Sequence, residues 1–549
     1  MSKATRYTDD LVAEYMRGGY WTSETLPDIW DQNAREYPDK EALVDSKTRL
    51  TWAQAKQWID RMALHLVKLG IEKDEVIALQ LPNVAELFLF MVACEKAGIL
   101  RVNLLRTLRH YEMEQILKKV EAVGVVIPWQ FGGFDYFKMI HEISPGLPAL
   151  RHIFVCDDKI PGNTISVKEM VKEPIEDGYP ADYLAGRRFK ETEVSAITVT
   201  TGSTGLPKLI ENPVCSVIKK TQSFSRALRL TCEDRVAVMS AGFGAVLLVG
   251  FCSAPKVAAR IVMQEKFEAE GALRLIENEK ISVLSLVPAQ AISIARHSKF
   301  DDYDLSSVRV ILLSGAPLSY AEGLEVEVRL RCPVMQAWST MDSTIGCMTS
   351  LDDPREVRLK TVGKPSVEGD EVKLVDDEGK EVSTGEVGEI WSRGPSGASG
   401  YYKDPQSTWQ AWTRDGWYKS GDLGRLDEHG NLIIAGRKTD VIIRGGQNIS
   451  PVEIEGLLAL NSKVSSVTVI GMPDSVLGER ACAYVVPKPG EEITFQEMVS
   501  FLREKNIATY KLPERLEIMD KLPLVAEQKV DKKFLRKDIV RKLKAEGKI

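Results

Sequence analysis

From Val76 onward, short uninterrupted apolar runs alternate with stretches of helical period. VIALQLP is followed by a helix through Glu86 to Ala97, then by the apolar segment Val123 to Ile127, then by HIFVC at 152 to 156. This alternation predicts βαβ units. Strands that read as continuous apolar runs, without strict alternation, belong to a largely parallel sheet covered on both faces. Ahead of this block the pattern predicts a helix around Leu26 to Tyr37 and a hairpin over Ala42 to Thr51. In the helix that follows, Trp58, Met62, Leu66 and Leu69 recur at helical spacing until Gly70 stops it. Lys159 to Glu193 lacks either rhythm and is expected to be a surface connection. A second α/β block is expected to open at the glycine-rich loop after Val199. It continues through VAVMS (236–240), RIVM (260–263), VLSLVPA (283–289) and VRVILLSGAPL (308–318).

Around Pro365 the pattern shortens to EVKLVDDEGKEV and GEIWSRG, strands punctuated by turn residues, which predicts a small β-rich subdomain. Beyond residue 437 a helix from Pro451, strands VTVIGM and CAYVVP, a helix from Thr494 and a basic terminal segment predict a separate α+β unit. The fold class expected is α/β. A large N-terminal domain (1–437) holds two parallel-rich α/β sheets and the β-rich subdomain, and a small α+β domain (438–549) follows.

Composition narrows the function. A chain of 549 residues is too long for one core, and 44% apolar residues suffice to build several. A net charge of −6 over this length carries no nucleic-acid footprint. The N-terminus MSKATRYTDDLVAEYM has no apolar leader, and Ala241 to Ala254 falls short of the ~20 residues that span a bilayer. A cytoplasmic protein with no membrane span is expected. The eight cysteines are scattered without C-x-x-C pairs or histidines at metal-ligand spacing, as buried reduced thiols are.

The chemistry concentrates in ITVTTGSTGLPKL (197–209), where a β-branched run opens into Gly202 and Gly205 around two hydroxyls and closes on Lys208. Glycines let successive N–H groups face inward, and a lysine adds a point charge for a polyanion. The spacing is not that of a Walker A loop, which needs four residues between its first glycine and Gly-Lys, then Ser or Thr. Farther on, WYKSGDL is expected to place Asp422 on a tight turn, where a carboxylate can accept both ribose hydroxyls. Arg437 in GRKTD is suited to bidentate contact with a phosphate. The terminal segment Lys529 to Lys548 carries nine basic against three acidic residues and is expected, for the most part, to be a solvated helix.

These stretches occur in the order of the motifs of the adenylate-forming superfamily, which includes acyl-CoA synthetases, peptide-synthetase adenylation domains and luciferases, and the resemblance spans nearly the whole chain. TTGSTGLPKL resembles the family's phosphate loop TSGTTGxPKG, departing at Thr201, Ser203 and Leu209. The resemblance implies an ATP site made by Thr200, Thr201, Gly202, Ser203, Thr204, Gly205 and Lys208. It adds an adenine-binding turn at Ser314, Gly315, Ala316 and Pro317, and the segment Trp338, Ser339 and Thr340. Asp342 stands where the family has a magnesium-binding glutamate, and Met341 where it has a threonine. YKSGDL is similar to the ribose motif of Asp422. GRKTDVIIRGGQNISP resembles the interdomain hinge, with a boundary at 438–440 and Thr439 at its centre. LPLVAEQKVDKKFLR resembles the closing motif LPxTxxGKxxR and puts Lys529 at the catalytic lysine.

What the resemblance implies is a two-step reaction using ATP, Mg²⁺ and coenzyme A. A carboxylate attacks the α-phosphorus to give acyl-AMP and pyrophosphate. The small domain then turns, and a thiol entering along Arg444, Gly445 and Gly446 takes the acyl group. GGYWTSETL and IPWQFGGFDY are most similar to the dihydroxybenzoate-activating branch. That branch carries a His-Asn pair where this chain has Ala241-Gly242-Phe243-Gly244, so the acyl pocket expected around Gly242, Phe243, Gly244 and Trp338 is apolar. It suits an alicyclic, unsubstituted aromatic or medium-chain acid. The alternatives are an aryl-acid ligase loading a carrier protein and a nucleotide-binding relative without turnover. The partners expected are small molecules, with a homodimer left open.

Overall fold

The computed structural model describes residues 2–199, 207–240, 245–343, 346–444, 447–474, 476–505, 507–525 and 529–548. Among these residues the strands form a nine-stranded, an eight-stranded, a four-stranded and a five-stranded sheet, with two small hairpins. The apolar runs are strands as expected. Val76–Leu79, Leu100–Asn103, Gly124–Ile127 and His152–Val155 lie parallel in the eight-stranded sheet. Arg235–Val238, Arg260–Met263, Val283–Leu286, Val310–Ser314 and Val334–Trp338 lie parallel in the nine-stranded one. Helix Ala85–Ala97 is buried on every side and belongs to a core shared by residues of both sheets. A helix buried all round, even at its charged Glu86, Glu95 and Lys96, has no face for water and serves as a layer between the sheets.

Chain order does not follow sheet membership. The strand Val194–Val199, which feeds the loop expected to open the second block, pairs in parallel with Leu100–Asn103 and so belongs to the first sheet. Conversely, the hairpin Glu41–Val44/Arg49–Thr51 leaves its sequence neighbours and pairs with Arg260–Met263 at the edge of the nine-stranded sheet. Apolar periodicity reports that a segment is buried but says nothing about which partner buries it.

Lys159 to Glu193 is also more than a surface connection. Ile165–Ser166 adds a strand to the first sheet, and Val167, Met170, Val171, Leu184 and Phe189 are buried. Arg187 ties the stretch down by donating to Ala97 O at 2.9 Å and Ile71 O at 2.7 Å.

The four-stranded sheet (Glu371–Val375, Gly388–Arg393, Tyr418–Leu426, Leu432–Arg437) is the expected β-rich subdomain. In the C-terminal region the five-stranded sheet has helices Pro451–Leu458 and Phe495–Glu504 on one apolar core. Helix Lys532–Ala545 packs on another. That last helix corrects the expectation of a solvated segment. Leu535, Ile539 and Leu543, spaced by four, form a buried stripe, and only the remaining faces carry the basic charge. The eight cysteines are free thiols, and no helix among the described residues is long and apolar enough to cross a membrane.

Candidate functional site

Parallel strands deliver their carboxyl ends to one edge of a sheet, and ligands gather there. Val310–Ser314 and Val334–Trp338 are adjacent, with Ser314 opposite Ala337, so the turn Ser314-Gly315-Ala316-Pro317 and the segment Trp338-Ser339-Thr340 leave the sheet side by side. Gly315 has φ +89°, a left-handed conformation that bends the chain directly off the strand end. Thr340 Oγ1 is buried and has no hydrogen-bond partner among the described residues. A buried hydroxyl left without a partner marks a place where a ligand's polar group fits.

The stretch after Val194–Val199 returns as Leu209–Pro213, antiparallel to it, with Val199 opposite Leu209. The lysine therefore precedes a strand and not a helix, which separates this loop from the strand–loop–helix of a P-loop. It also accounts for Leu209, which is 2% exposed and occupies a core position in the ladder. Thr200, Thr201, Gly202, Ser203, Thr204 and Gly205 lie outside the described residues, as do Gly242, Phe243, Gly244, Gly445 and Gly446.

Lys208 is described. Its Nζ donates to Tyr401 Oη at 2.9 Å and stands 3.9 Å from Asp342 Oδ2. Tyr401 in turn donates to Asp342 Oδ2 at 2.6 Å. Burial, and then the Asp342 charge, push the Tyr401 phenol far above its ordinary range, so it remains a donor. Tyr418 is raised well above its ordinary value by the same two causes. Asp342 is thus a buried carboxylate joined to the first sheet through Lys208 and Tyr401. Among the described residues no group of three or more His, Cys, Asp or Glu is gathered to hold a metal. One carboxylate fits Mg²⁺ only as the ion arrives on a polyphosphate, the usual way this cation is held.

Asp422 does not lie on a tight turn as expected. It sits inside the strand Tyr418–Leu426, where Gly421 at φ +71° and register shifts on both neighbouring pairings mark a bulge. A bulge re-aims one side chain without ending the strand. Asp422 Oδ1 meets Arg437 Nε at 2.8 Å from the directly opposite strand position, and Oδ2 accepts from Trp338 Nε1 at 2.9 Å. A carboxylate has about four lone-pair directions, so two remain for a diol.

Lys529 is brought to the same place by the hairpin Leu524–Val525/Lys529–Val530. The residue as a whole is exposed, yet the protein around its amine lowers the ammonium's pKa. Nearby Arg437 lowers it further and Asp422 opposes them. Thr439 lies in the turn after Arg437, where Arg536 donates to Thr439 O at 3.3 Å and pairs with Asp440 at 2.7 Å. Arg444 is fixed by Glu514 at 2.8 Å.

The structure therefore brings together Lys208 with Asp342, and Trp338, Asp422, Arg437 and Lys529 with one another. Tyr401 and Tyr418 are the residues that sequence reasoning missed. Aromatic residues in GYYKD and WYKS carry no local signal that they converge on a carboxylate.

The fold and this rim define a site at the carboxyl edge of a parallel sheet, joined by Lys529 from the C-terminal region. Family comparison agrees: residues 30–402 match the AMP-binding enzyme family, and residues 453–529 match the AMP-binding enzyme C-terminal domain. The chain belongs to this adenylate-forming family. It is 31% identical over 546 residues to the 2,3-dihydroxybenzoate-AMP ligase of Bacillus subtilis, covering 98% of both chains. It is likewise 31% identical to the medium-chain fatty-acid–CoA ligase of Escherichia coli, covering 99% of this chain and 95% of that one. Among solved structures, an anthranilate CoA ligase in complex with anthranoyl-AMP shares the fold at a TM-score of 0.85 and 24% identity, over 95% and 98% of the two chains. The protein is thus an enzyme of the adenylate-forming ligase family, acting on a carboxylic acid with ATP.

Proposed function

We propose that the chain is an AMP-forming acyl-CoA synthetase whose acid has an apolar body: alicyclic, aromatic or medium-chain. The observation that carries this reading is the meeting of Asp422, Arg437 and Lys529, contributed by two domains, at the rim beside Trp338. A carboxylate is a poor acyl donor, and both it and ATP are anions. Activation needs them held in line and their charge offset.

In this reading Asp422 accepts the ribose hydroxyls, while Lys208 meets the polyphosphate together with the loop from Thr200 to Gly205. Asp342, oriented by Tyr401, is the carboxylate offered to Mg²⁺ entering with ATP. Ser314 to Pro317 and Trp338 to Thr340 line the base. Lys529 places its ammonium against the developing charge at the carboxylate–phosphorus junction. Residues 438–549 then turn about Thr439, removing Lys529 and bringing Arg444, Gly445 and Gly446 to the thiol's path. The Ala241 to Gly244 segment has no polar partner for a catechol, which supports an apolar acid. The dihydroxybenzoate-AMP ligase relative supports the rival acceptor, a carrier protein.

Pyrophosphate release is measured across cyclic, aromatic and linear acids, followed by thioester formation with CoA or with a carrier protein. Release with cyclohexanecarboxylate-, benzoate- or octanoate-type acids above 2,3-dihydroxybenzoate, and transfer to CoA, are expected. Faster release with the dihydroxy acid, or transfer to the carrier alone, overturns the assignment.

A further inference from the structure

Residues 2–8 are fastened as a strap to the part of the molecule that carries Lys208 and Tyr401. Val194 N–H donates to Ser2 O at 2.7 Å, Lys3 forms an isolated antiparallel bridge with Glu193, and Arg6 N–H donates to Ser399 O at 2.9 Å. Tyr7 Oη donates to Gly397 O at 3.3 Å, and farther along the chain Trp21 Nε1 donates to Pro395 O at 2.9 Å.

Thr5 completes the surroundings of a buried carboxylate. Glu211 lies opposite Gly400 in the ladder, beside the Ile210–Tyr401 pair. It accepts from the Thr5 N–H at 3.0 Å, from Thr5 Oγ1 at 2.7 Å and from Ser399 Oγ at 2.8 Å. A buried carboxylate is costly without donors, and two of these three come from the strap.

Arg6 reaches further. Its Nη2 donates to Ala398 O at 2.5 Å, and its guanidinium carbon lies 4.8 Å from the centre of the Trp412 ring. Trp412 is buried, and its ring meets that of Tyr401 edge-on at 5.1 Å and 63°, and that of Tyr418 at 4.8 Å. The Tyr401 hydroxyl in turn accepts from Lys208 and donates to Asp342, and Lys208 Nζ lies 4.6 Å from the centre of the same ring. Arg6, Trp412, Tyr401 and the Lys208–Asp342 pair therefore form one unbroken run of contacts.

The orientation of a buried ring is set by what touches its faces and edges. A guanidinium over an indole face and a phenol ring edge-on to it are both favourable arrangements, and together they fix the ring. One hydroxyl making bonds of 2.6 and 2.9 Å leaves its own ring little freedom to move. A displacement of ~1 Å in a positioned group costs about a hundredfold in rate. Any rotation of Trp412 would thus be felt at Tyr401, and through it at Asp342 and Lys208.

We propose that Arg6 is a positioning residue for adenylation: by holding Trp412 against Tyr401 it keeps Lys208 and Asp342 in the geometry that receives the polyphosphate and Mg²⁺. This rests on the reading of those two residues as the polyphosphate and Mg²⁺ contacts.

The test uses the full chain and two readouts. One is pyrophosphate release with an accepted acid across a Mg²⁺ series; the other, free of turnover, is calorimetric binding of a non-hydrolysable ATP analogue across the same series. Arg6→Leu is expected to lower kcat roughly tenfold and to move the Mg²⁺ midpoint upward in both readouts, with the KM for the acid unchanged. Arg6→Lys keeps the cation and is expected to recover part of each loss. Trp21→Phe loosens the strap at Pro395 without touching Trp412 and is expected to leave kcat and midpoint at their native values. Because Arg6 acts through the Tyr401 hydroxyl, Arg6→Leu/Tyr401→Phe is expected to be no slower than Tyr401→Phe alone. If Arg6→Leu does not fold, Arg6→Gln, which keeps an N–H donor for Ala398 O and removes the cation, replaces it in every comparison. Native kcat and midpoint in the Arg6 variant overturn the proposal. So do losses that multiply in the double variant, or a loss in Trp21→Phe equal to that in Arg6→Leu, either of which makes the strap a general fastening. A Mg²⁺ midpoint unmoved by Asp342→Asn, with the Arg6 and Tyr401 losses in kcat still not multiplying, sinks the magnesium reading alone. A midpoint moved by Asp342→Asn but not by the Arg6 variant, with kcat intact, sinks the Arg6 assignment alone.

Discussion

Asp342 and Asp422 are built alike and supported differently. Each is 7% exposed, and each takes a hydrogen bond from an aromatic donor, Tyr401 in one case and Trp338 in the other, with a cation nearby. The partners of Asp342 are Tyr401 in a strand of the eight-stranded sheet, Lys208 just before another, and Tyr418 of the four-stranded sheet, all within the N-terminal region. Asp422 instead shares its cationic environment with Lys529, contributed by the C-terminal region. One carboxylate is therefore locked in place by packing. The other faces a residue of the C-terminal region, Lys529, and it is there that the proposed domain turn would act.

The largest effect expected is at that second carboxylate's visitor. Lys529→Ala removes a charge-assisted contact of ~3 kcal/mol in the transition state, more than a hundredfold in rate. Adenylate formation, followed by pyrophosphate release, is expected to fall by that factor, while a supplied acyl adenylate plus CoA still gives thioester at near the native rate. Equal loss in both half-reactions means the lysine does not leave, and the contrast between the two carboxylates collapses.

At the locked carboxylate, Asp342→Asn keeps the shape and removes the charge. Loss of a charged hydrogen bond at about 1.5–3 kcal/mol predicts a fall of roughly ten- to a hundredfold in adenylation at fixed Mg²⁺. No shift in the Mg²⁺ titration midpoint would remove Asp342 from the metal's path.

Asp422→Ala deletes the acceptor of two ribose hydrogen bonds of about 0.5–1.5 kcal/mol each, so the ATP KM is expected to rise roughly tenfold. The pH profile sharpens the point. Adenylation needs the Lys529 ammonium, so activity falls as pH rises through its lowered pKa. Asp422 raises that pKa and Arg437 lowers it. Asp422→Ala should therefore move the alkaline limb to lower pH and Arg437→Ala to higher pH. Shifts in the same direction would show that neither acts on Lys529 directly.

The smallest expected change is Trp338→Phe, which keeps a ring and removes the indole donor. At about 0.5–1.5 kcal/mol for one hydrogen bond, the ATP KM rises a few-fold with the thioester step unaffected. A change in the thioester step instead would assign Trp338 to the thiol's path.

Much of this was legible in the chain because burial writes itself locally. The runs Val76–Leu79, Val283–Leu286 and Val310–Ser314 are apolar because a parallel strand between helices has no wet face. Lys208, Asp422 and Arg437 were singled out from their local motifs, and Lys529 from the resemblance of LPLVAEQKVDKKFLR to the family's closing motif. What was not legible depends on contacts between distant segments. Asp422 read as a turn residue because Ser-Gly-Asp is ordinary turn chemistry, whereas cross-strand pairing on both sides holds it in a bulged strand. Tyr401 meets Asp342 across 59 positions of sequence, and no period or composition encodes that.

The edge hairpin Glu41–Val44/Arg49–Thr51 has one more consequence, for how the protein is made. Its parallel partner, Arg260–Met263, is translated more than two hundred residues later. As the ribosome advances, the parallel strands of the first sheet can pair among themselves once Val194–Val199 has emerged, but the hairpin must wait until the other sheet exists to receive it. Such long-range pairing slows folding and prolongs exposure to aggregation. Between the synthesis of residues 51 and 263 the nascent hairpin therefore lacks its parallel partner, an interval in which an unpaired strand edge is open to misassociation.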